Sequence, residues 1–237
     1  MTDILLILQH GEIELQGQFL YGSNYTFLVE LTHQGEKLKA VYKPAKGERP
    51  LWDFPEGTLG KREVAAYLLS EALGWQLVPK TLYRQDGPLG EGSLQEYIEH
   101  DPNHHFFTMS PAERASLRKT AVFDILINNA DRKGGHLLFD DDGKIWLIDQ
   151  ALCFHTEDKL RTVIWDFIGQ PIEPDLIADI SRLSGLLKPE GELTLELAQY
   201  LTEDELSALK ERLIEVITNP VFRGPREDSM PYPWPPV

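Results

Sequence analysis

Cysteine is nearly absent from this chain of 237 residues: Cys153 stands alone. That excludes an internal disulfide framework and a thiolate metal cluster. Cys153 lies in the apolar run ALCF and reads as a small buried hydrophobe. Positive charge is also scarce, with 23 Lys and Arg against 38 Asp and Glu, for a net charge of -15. Such a balance argues against nonspecific nucleic-acid binding and against an anionic membrane as first partner. The N-terminal stretch MTDILLILQHGEIE has no basic segment and no small-residue cleavage site, and its apolar run is too short for a membrane span. Stable membrane insertion is therefore not expected, and a cytoplasmic location is. The P-loop, the glycine-rich dinucleotide turn and HExxH are all missing. No internal repeat is apparent.

What is present describes a folded protein. Apolar residues make up 42% and charged residues 26%, and the length suits one large domain or two small lobes. A chain of this size buries roughly 70% of its unfolded surface. Ile4 to Leu8 is short and apolar, which leaves strand and helix equally open. Residues 13–20, 25–31 and 38–42 read as strands, the first interrupted at Gly17, with turns at 21–24 and 33–36. A proline- and glycine-bearing loop covers 44–58. Helical spacing runs from Leu59 to Leu73, with Gly74 as a stop. Strands follow over 78–83 and 92–99, separated by a polar turn from Arg84 to Gly90. A linker over 100–111 leads into Ser110-Pro111-Ala112-Glu113, a capped helix start. That helix is expected to reach about Asn128. Further helices are expected over 175–186, 193–201 and from Thr202 to about Thr218. The tail MPYPWPPV is irregular, either loose or pinned by Tyr232 and Trp234. Strands before 99 and helices after 110 give an α+β chain. Its expected parts are an N-terminal antiparallel sheet lobe, 1–99, and a mostly helical C-terminal lobe, 100–237, with a cleft between them.

The densest chemistry lies between Asn128 and Phe154, NNADRKGGHLLFDDDGKIWLIDQALCF. Asp-Gly between apolar runs signals a hairpin that pairs 137–139 with 145–148. Folding it brings Asp131 and His136 near Asp149. Two carboxylates and an imidazole at the mouth of a hairpin can hold a divalent metal and activate a hydroxyl. Ordinary turn chemistry explains Asp140 to Gly143. It does not explain Asp149 at the end of an apolar strand, or the crowding of reactive side chains from Asp131 to His136. Asp124 and Asn128 share one helix face, and Asn128 or Asn129 can brace the loop by hydrogen bonds. Asp166, among aromatics, is another candidate brace.

DRKGGH…LIDQALCF resembles the catalytic and metal-binding loops of the phosphatidylinositol 3-/4-kinase-like family, within the protein-kinase-like fold, and especially a small bacterial branch of it. The resemblance covers about residues 13–167. It implies the same two-lobed arrangement, ATP as the nucleotide, and Mg²⁺ or Mn²⁺. Asp131 matches the catalytic Asp, with Lys133 and Asn128 beside it, and Asp149 matches the metal-binding Asp. His136 stands where such kinases carry a metal-binding Asn, and an imidazole there leans toward Mn²⁺. Lys43, in AVYKP, matches the lysine that reaches the phosphates; Lys39 and Lys46 are its neighbours in other registers. Glu63 is implied to orient Lys43, with Glu56 and Glu71 as competitors. Ser23 and Asn24 would add phosphate donors from the turn between the first strands. Gln95, Glu96 and Tyr97 end a strand where the backbone of such a kinase reads adenine. Either Arg132 or Lys133 would neutralise the transferring phosphoryl group.

The expected activity is ATP-dependent phosphate transfer to a hydroxyl of a protein, a lipid head group or a small molecule. The acidic composition weighs against the lipid. Two alternatives stand beside this reading. One is AMP transfer on the same fold; the other is a non-catalytic nucleotide-binding regulatory protein, which His136 in place of Asn favours.

Overall fold

Alternating apolar and polar residues build the first sheet. β1 (Glu12–Gln18), β2 (Phe27–His33) and β3 (Glu36–Pro44) pair antiparallel in a computed structural model that describes residues 3–20, 24–227 and 230–237. Gln34 and Gly35, at φ 50° and 86°, close the β2–β3 hairpin, a turn whose twist matches that of the strands it joins. The pairing of β1 shifts between Leu15 and Gly17, where the sequence predicts an interruption. Most of the expected 21–24 turn, including Ser23, lies outside the described residues. Val29, Leu31, Ala40 and Tyr42 are buried and pack with Ile7 and Leu8 of a helix, α1 (Ile4–His10). Asp3 settles the open reading of this run in favour of helix, accepting from the Leu5 N–H at 3.0 Å as an N-cap.

β4 (Thr81–Gly87) and β5 (Gly90–Glu96) complete a five-stranded sheet in the order β1-β2-β3-β5-β4. Arg84 to Gly87, expected as a turn, belongs to β4. Within it Arg84 is satisfied by neighbouring groups, while Gln85 and Asp86 face solvent. The Arg84 guanidinium bonds Asp86 and, at 2.7 Å, the Gly11 carbonyl behind α1. Between β3 and β4 runs α2 (Leu59–Leu73), with the expected bounds. Gly74 ends it in the left-handed region at φ 74°, its N–H donating to the Ser70 and Glu71 carbonyls. Two charged residues near its start, Arg62 and Glu63, are buried.

The helical part begins with the Ser110–Glu113 capping box. The single helix expected from there is two, α3 (Pro111–Ala115) and α4 (Arg118–Ile127). Ser116 Oγ turns back onto the Glu113 carbonyl at 2.6 Å, and Leu117 drops into the core at the break. A hairpin of β6 (Leu137–Phe139) and β7 (Ile145–Leu147) follows, with Leu137 opposite Leu147 and Phe139 opposite Ile145. Asp140 accepts from the Asp142 and Lys144 N–H groups and from Trp146 Nε1, so its carboxylate is used in closing the turn. α5 (Pro174–Leu186), α6 (Glu192–Leu197) and α7 (Glu203–Thr218) close the structure. One apolar cluster joins Leu69 and Leu73 of α2 to Phe123 and Leu126 of α4, Ile180 and Leu183 of α5, and Leu209 and Leu213 of α7. The helix behind the first sheet is thereby welded to the helical part. Arg62 reinforces the joint, donating to the Cys153 carbonyl at 2.6 Å and pairing with Glu205. Cys153 itself is buried, and burial pushes its thiol pKa well up, which leaves it inert.

The tail is held by its backbone and by buried Pro233; Tyr232 and Trp234 are exposed. The Pro231 carbonyl accepts from the Thr162 N–H and Trp165 Nε1, and the Pro236 carbonyl from the Gly134 N–H at 2.7 Å. Among the described residues, no helix is long and apolar enough to cross a membrane.

Candidate active site

Lys43 lies near the end of β3, opposite Ser93 of β5, with its side chain turned toward α2 and the hairpin. Its Nζ is 2.5 Å from Glu63 Oε1 and 2.9 Å from Asp149 Oδ1. Ser93 Oγ donates to the other Glu63 oxygen at 3.0 Å. Thus Glu63, not Glu56 or Glu71, is the carboxylate that meets Lys43. Lys39 instead pairs with Glu99 at the surface. Burial works to lower the Lys43 pKa, but the Asp149 and Glu63 charges outweigh it and the net direction is up, so the ammonium stays charged. For Asp149 burial works upward, and Lys43 and His136 more than offset it, holding the carboxyl well below the usual range. Burial raises Glu63, with Lys43 pulling the other way. The Asp149 side chain is 40% exposed and faces the cleft at a left-handed φ of 59°. Such a conformation, uncommon outside glycine, is held here by the hairpin before it and the Lys43 contact.

Asp131 is set by the residues around it. Its N–H donates to Asn129 Oδ1 at 2.9 Å, and Asn129 Nδ2 donates to Asp124 at 3.1 Å. Asn128, placed by sequence in the catalytic set, faces away. Its amide nitrogen donates to the His155 and Glu157 carbonyls and its oxygen accepts from the Lys159 N–H. Asn128 thus braces the 155–159 segment, and Asn129 is the side chain that touches Asp131. Arg132 is excluded as a phosphate contact, being fully buried against Asp124. Asp124 also replaces Asp166 as the brace, since Asp166 is exposed. Lys133 Nζ is 3.3 Å from Asp131 Oδ2. Burial pushes the Asp131 pKa up to about 6, with Lys133 opposing and Asp149 adding to the rise.

Two cavities meet at Asp149. One, of about 330 Å³, lies under β3 and the 95–98 segment, with Val41, Lys43, Leu138 and Ile148 in its walls. Its size is at the lower end for small-molecule sites. Gln95, Glu96 and Tyr97 all line it, but their groups are partly spent. Gln95 Nε2 donates to Thr81, and the Glu96 and Tyr97 N–H groups donate to the Lys80 and Lys39 carbonyls. The other cavity, of about 70 Å³, is bounded by Asn24, Arg49, Asp131 and Asp149. A groove of about 630 Å³ beneath the 45–57 loop is larger, yet its walls include none of Lys43, Asp131 and Asp149.

His136 faces Asp149, with Nε2 3.3 Å from Oδ2. Burial lowers its pKa to about 4, so the ring is neutral at pH 7. Nδ1 accepts from the Lys133 N–H at 3.4 Å. With Nδ1 engaged by that N–H, Nε2 is the ring atom that faces Asp149 and the cleft. Among the described residues, no three His, Cys, Asp or Glu side chains are grouped to cage a metal by themselves. An ionised, cleft-facing Asp149 nevertheless fits Mg²⁺ or Mn²⁺, which bind through one or two carboxylates together with substrate phosphates and water.

No protein-family model matches the chain. Protein Rv2133c of Mycobacterium tuberculosis is 40% identical over 264 aligned residues, which take in 97% of this chain and 94% of that protein. The chain belongs to the family of Protein Rv2133c. It is also similar in sequence to phosphatidylinositol 4-kinase gamma 4 of rice, 27% identical over 175 residues, and of Arabidopsis thaliana, 28% over 182. Those alignments take in 59% of this chain but only 31% and 32% of the plant proteins. Among solved structures, the Helicobacter pylori proinflammatory kinase CtkA superposes with a TM-score of 0.56 at 12% identity, covering 91% of this chain and 94% of that one. Hydra Fam20, solved with sugar, gives 0.54 at 16% identity over 89% and 86%. The fold is therefore protein-kinase-like, with the sheet and the helical part as its two lobes.

Proposed function

We propose that the protein is an ATP-dependent phosphotransferase acting on a hydroxyl group, on a small molecule in preference to a lipid surface. One observation carries the reading: Lys43 is held between Glu63 and Asp149, and Asp149 shares a small cavity with Asp131. Charged, partly buried groups thus run from the 330 Å³ cavity through Lys43 and Asp149 to a carboxylate able to take a proton. The similarity to phosphatidylinositol 4-kinases and the kinase-like fold support it. The net charge of -15 favours a diffusible acceptor over an anionic membrane.

In this reading adenine occupies the 330 Å³ cavity. With the neighbouring N–H groups engaged, the Ile98 backbone becomes the donor to its edge. Lys43 binds the phosphates as a point charge, and Glu63 keeps it aimed. Mg²⁺ or Mn²⁺, held by Asp149 together with the phosphates, would neutralise their charge. Asp131 orients the acceptor hydroxyl and takes its proton. Its pKa of about 6 leaves it ionised at neutral pH yet basic enough to accept. Lys133 offsets the charge of Asp131 before the proton arrives.

The test compares Asp131→Asn with Asp149→Asn, measuring ATP binding by calorimetry and labelled-phosphate transfer to small alcohols, inositol lipids and proteins. Asp149→Asn should lose metal-dependent binding and turnover together. Asp131→Asn should lose turnover with little change in ATP affinity. Wild-type transfer by both variants would reject the assignment. Tight ATP binding by the wild type without transfer to any acceptor would favour a nucleotide-binding regulator.

A further inference from the structure

The transferring phosphoryl group needs positive charge beside it, and the cations named by sequence are occupied. Arg132 is buried on Asp124, Lys133 lies on Asp131, and Lys43 already meets two carboxylates. Resting on the phosphotransferase reading, the geometry points to Arg49 as the side chain that grips the terminal phosphate of the nucleotide. Arg49 lies in the loop between β3 and α2, where it borders both the 630 Å³ groove and the 70 Å³ cavity that Asp131 and Asp149 also line. That cavity is much smaller than the 330 Å³ cavity beside it, which suits a phosphoryl group there and the base in the larger space. Among the described residues no carboxylate pairs with the Arg49 guanidinium, and the side chain is exposed. Lys43, Arg132 and Lys133, the cations that sequence and resemblance place at the phosphates, each have an acidic partner.

Its backbone, by contrast, is fixed on both sides. The Arg49 N–H donates to Asn24 Oδ1 at 2.8 Å, and the Tyr25 N–H donates to the Gly47 carbonyl at 3.0 Å. A Cβ on Gly47 would come within 2.6 Å of Tyr25, so the loop and the start of β2 approach as closely as glycine allows. Glu48 reaches the other way and accepts from the Gly60 N–H in the first turn of α2 at 3.1 Å. Arg49 is therefore presented from an anchored segment, one end tied through Asn24 to the segment leading into β2, the other to the helix that carries Glu63. A planar guanidinium can bond two phosphate oxygens at once, and does so best where water is partly excluded. Arg161 adds positive potential at Asp131 but does not border the cavity.

The experiment is calorimetry with ATP and with ADP, both with Mg²⁺, on the wild type and on Arg49→Ala, Arg49→Lys and Lys43→Ala. Arg49→Ala should weaken ATP binding about 10- to 100-fold, the worth of charge-assisted hydrogen bonds, and leave ADP within about twofold by the same account. Arg49→Lys should recover only part of the loss. Lys43→Ala should weaken both nucleotides. Arg49 is exposed and unpaired, so unchanged melting temperatures are expected and show that each variant folds. If Arg49→Ala lowers ATP and ADP affinity by the same factor, or neither, the assignment of Arg49 is overturned while the phosphotransferase reading stands. If the wild type binds neither nucleotide, both fall.

Discussion

Arg132 and Asp124, each fully buried, lie face to face beneath the cleft, with Arg132 Nε 3.1 Å from both Asp124 oxygens and Nη2 3.0 Å from one. The remaining guanidinium nitrogen donates to the Ile148 carbonyl at 2.9 Å. Arg132 follows Asp131 in the chain and Ile148 precedes Asp149, so one side chain sets the spacing of the two cleft carboxylates. Asn129 and Thr162 share the same Asp124. Removing one partner strands a buried charge, which costs about 3–5 kcal/mol. Asp124→Asn and Arg132→Met should each lower stability by about that much in urea unfolding, and the double variant by less than the sum. A loss below about 1 kcal/mol for both, the scale of a surface pair, would show that the pair does not hold the loop.

Glu63 offers a cleaner perturbation of the site. In Glu63→Gln the amide oxygen still accepts from Lys43, so the fold should survive, while Lys43 is drawn toward Asp149. Nucleotide affinity should change within a few-fold and turnover should fall by on the order of 10-fold or more, since only electrostatic aim is lost. Equal losses in affinity and turnover would mean that Glu63 acts in binding alone.

Asp131 sets a pH dependence. Its pKa of about 6 lies above that of an unfolded carboxyl, so its ionisation is disfavoured in the folded state. Two consequences have fixed signs. The kcat/KM of the wild type should rise as pH passes through about 6 and then level, because only the carboxylate accepts a proton. Asp131 should detract from stability once pH exceeds its unfolded value, so Asp131→Asn should melt no lower than wild type at pH 8. A flat kcat/KM between pH 5 and 7 would remove Asp131 as the base.

Gly92 tests whether the β3–β5 contact positions Lys43. A Cβ there would lie 2.3 Å from the Lys43 carbonyl oxygen and 2.8 Å from Pro44 Cα, both backbone atoms that cannot swing aside. Gly92→Ala should cost about 1–3 kcal/mol as overpacking does, and should weaken ATP binding although residue 92 touches no proposed ligand atom. Gly185→Ala, in α5 and away from the cleft, whose Cβ meets nothing within 4 Å, is the matched control. Wild-type ATP affinity in Gly92→Ala would separate the strand contact from Lys43.

Much of this was written locally. The 59–73 helix and its glycine stop, the Ser110 and Thr202 caps, and the 137–147 hairpin follow from propensities and caps acting over a few residues, and short-range physics is legible in a single chain. The resemblance of DRKGGH…LIDQALCF marked Asp131 and Asp149 for the same reason: their spacing is carried by one hairpin. Tertiary structure decided what depends on partners far along the chain. Nothing in the sequence around Arg132 shows that Asp124 and the Ile148 carbonyl consume its guanidinium, or that Asn128 turns toward 155–159 while Asn129 turns toward Asp131. Arg49 sits in a proline-bearing loop with no pattern of its own. It emerges as a cation at the site without an acidic partner only once the fold brings Asn24, Asp131 and Asp149 around it, because whether a charge is free is a property of all its neighbours and not of its place in the chain.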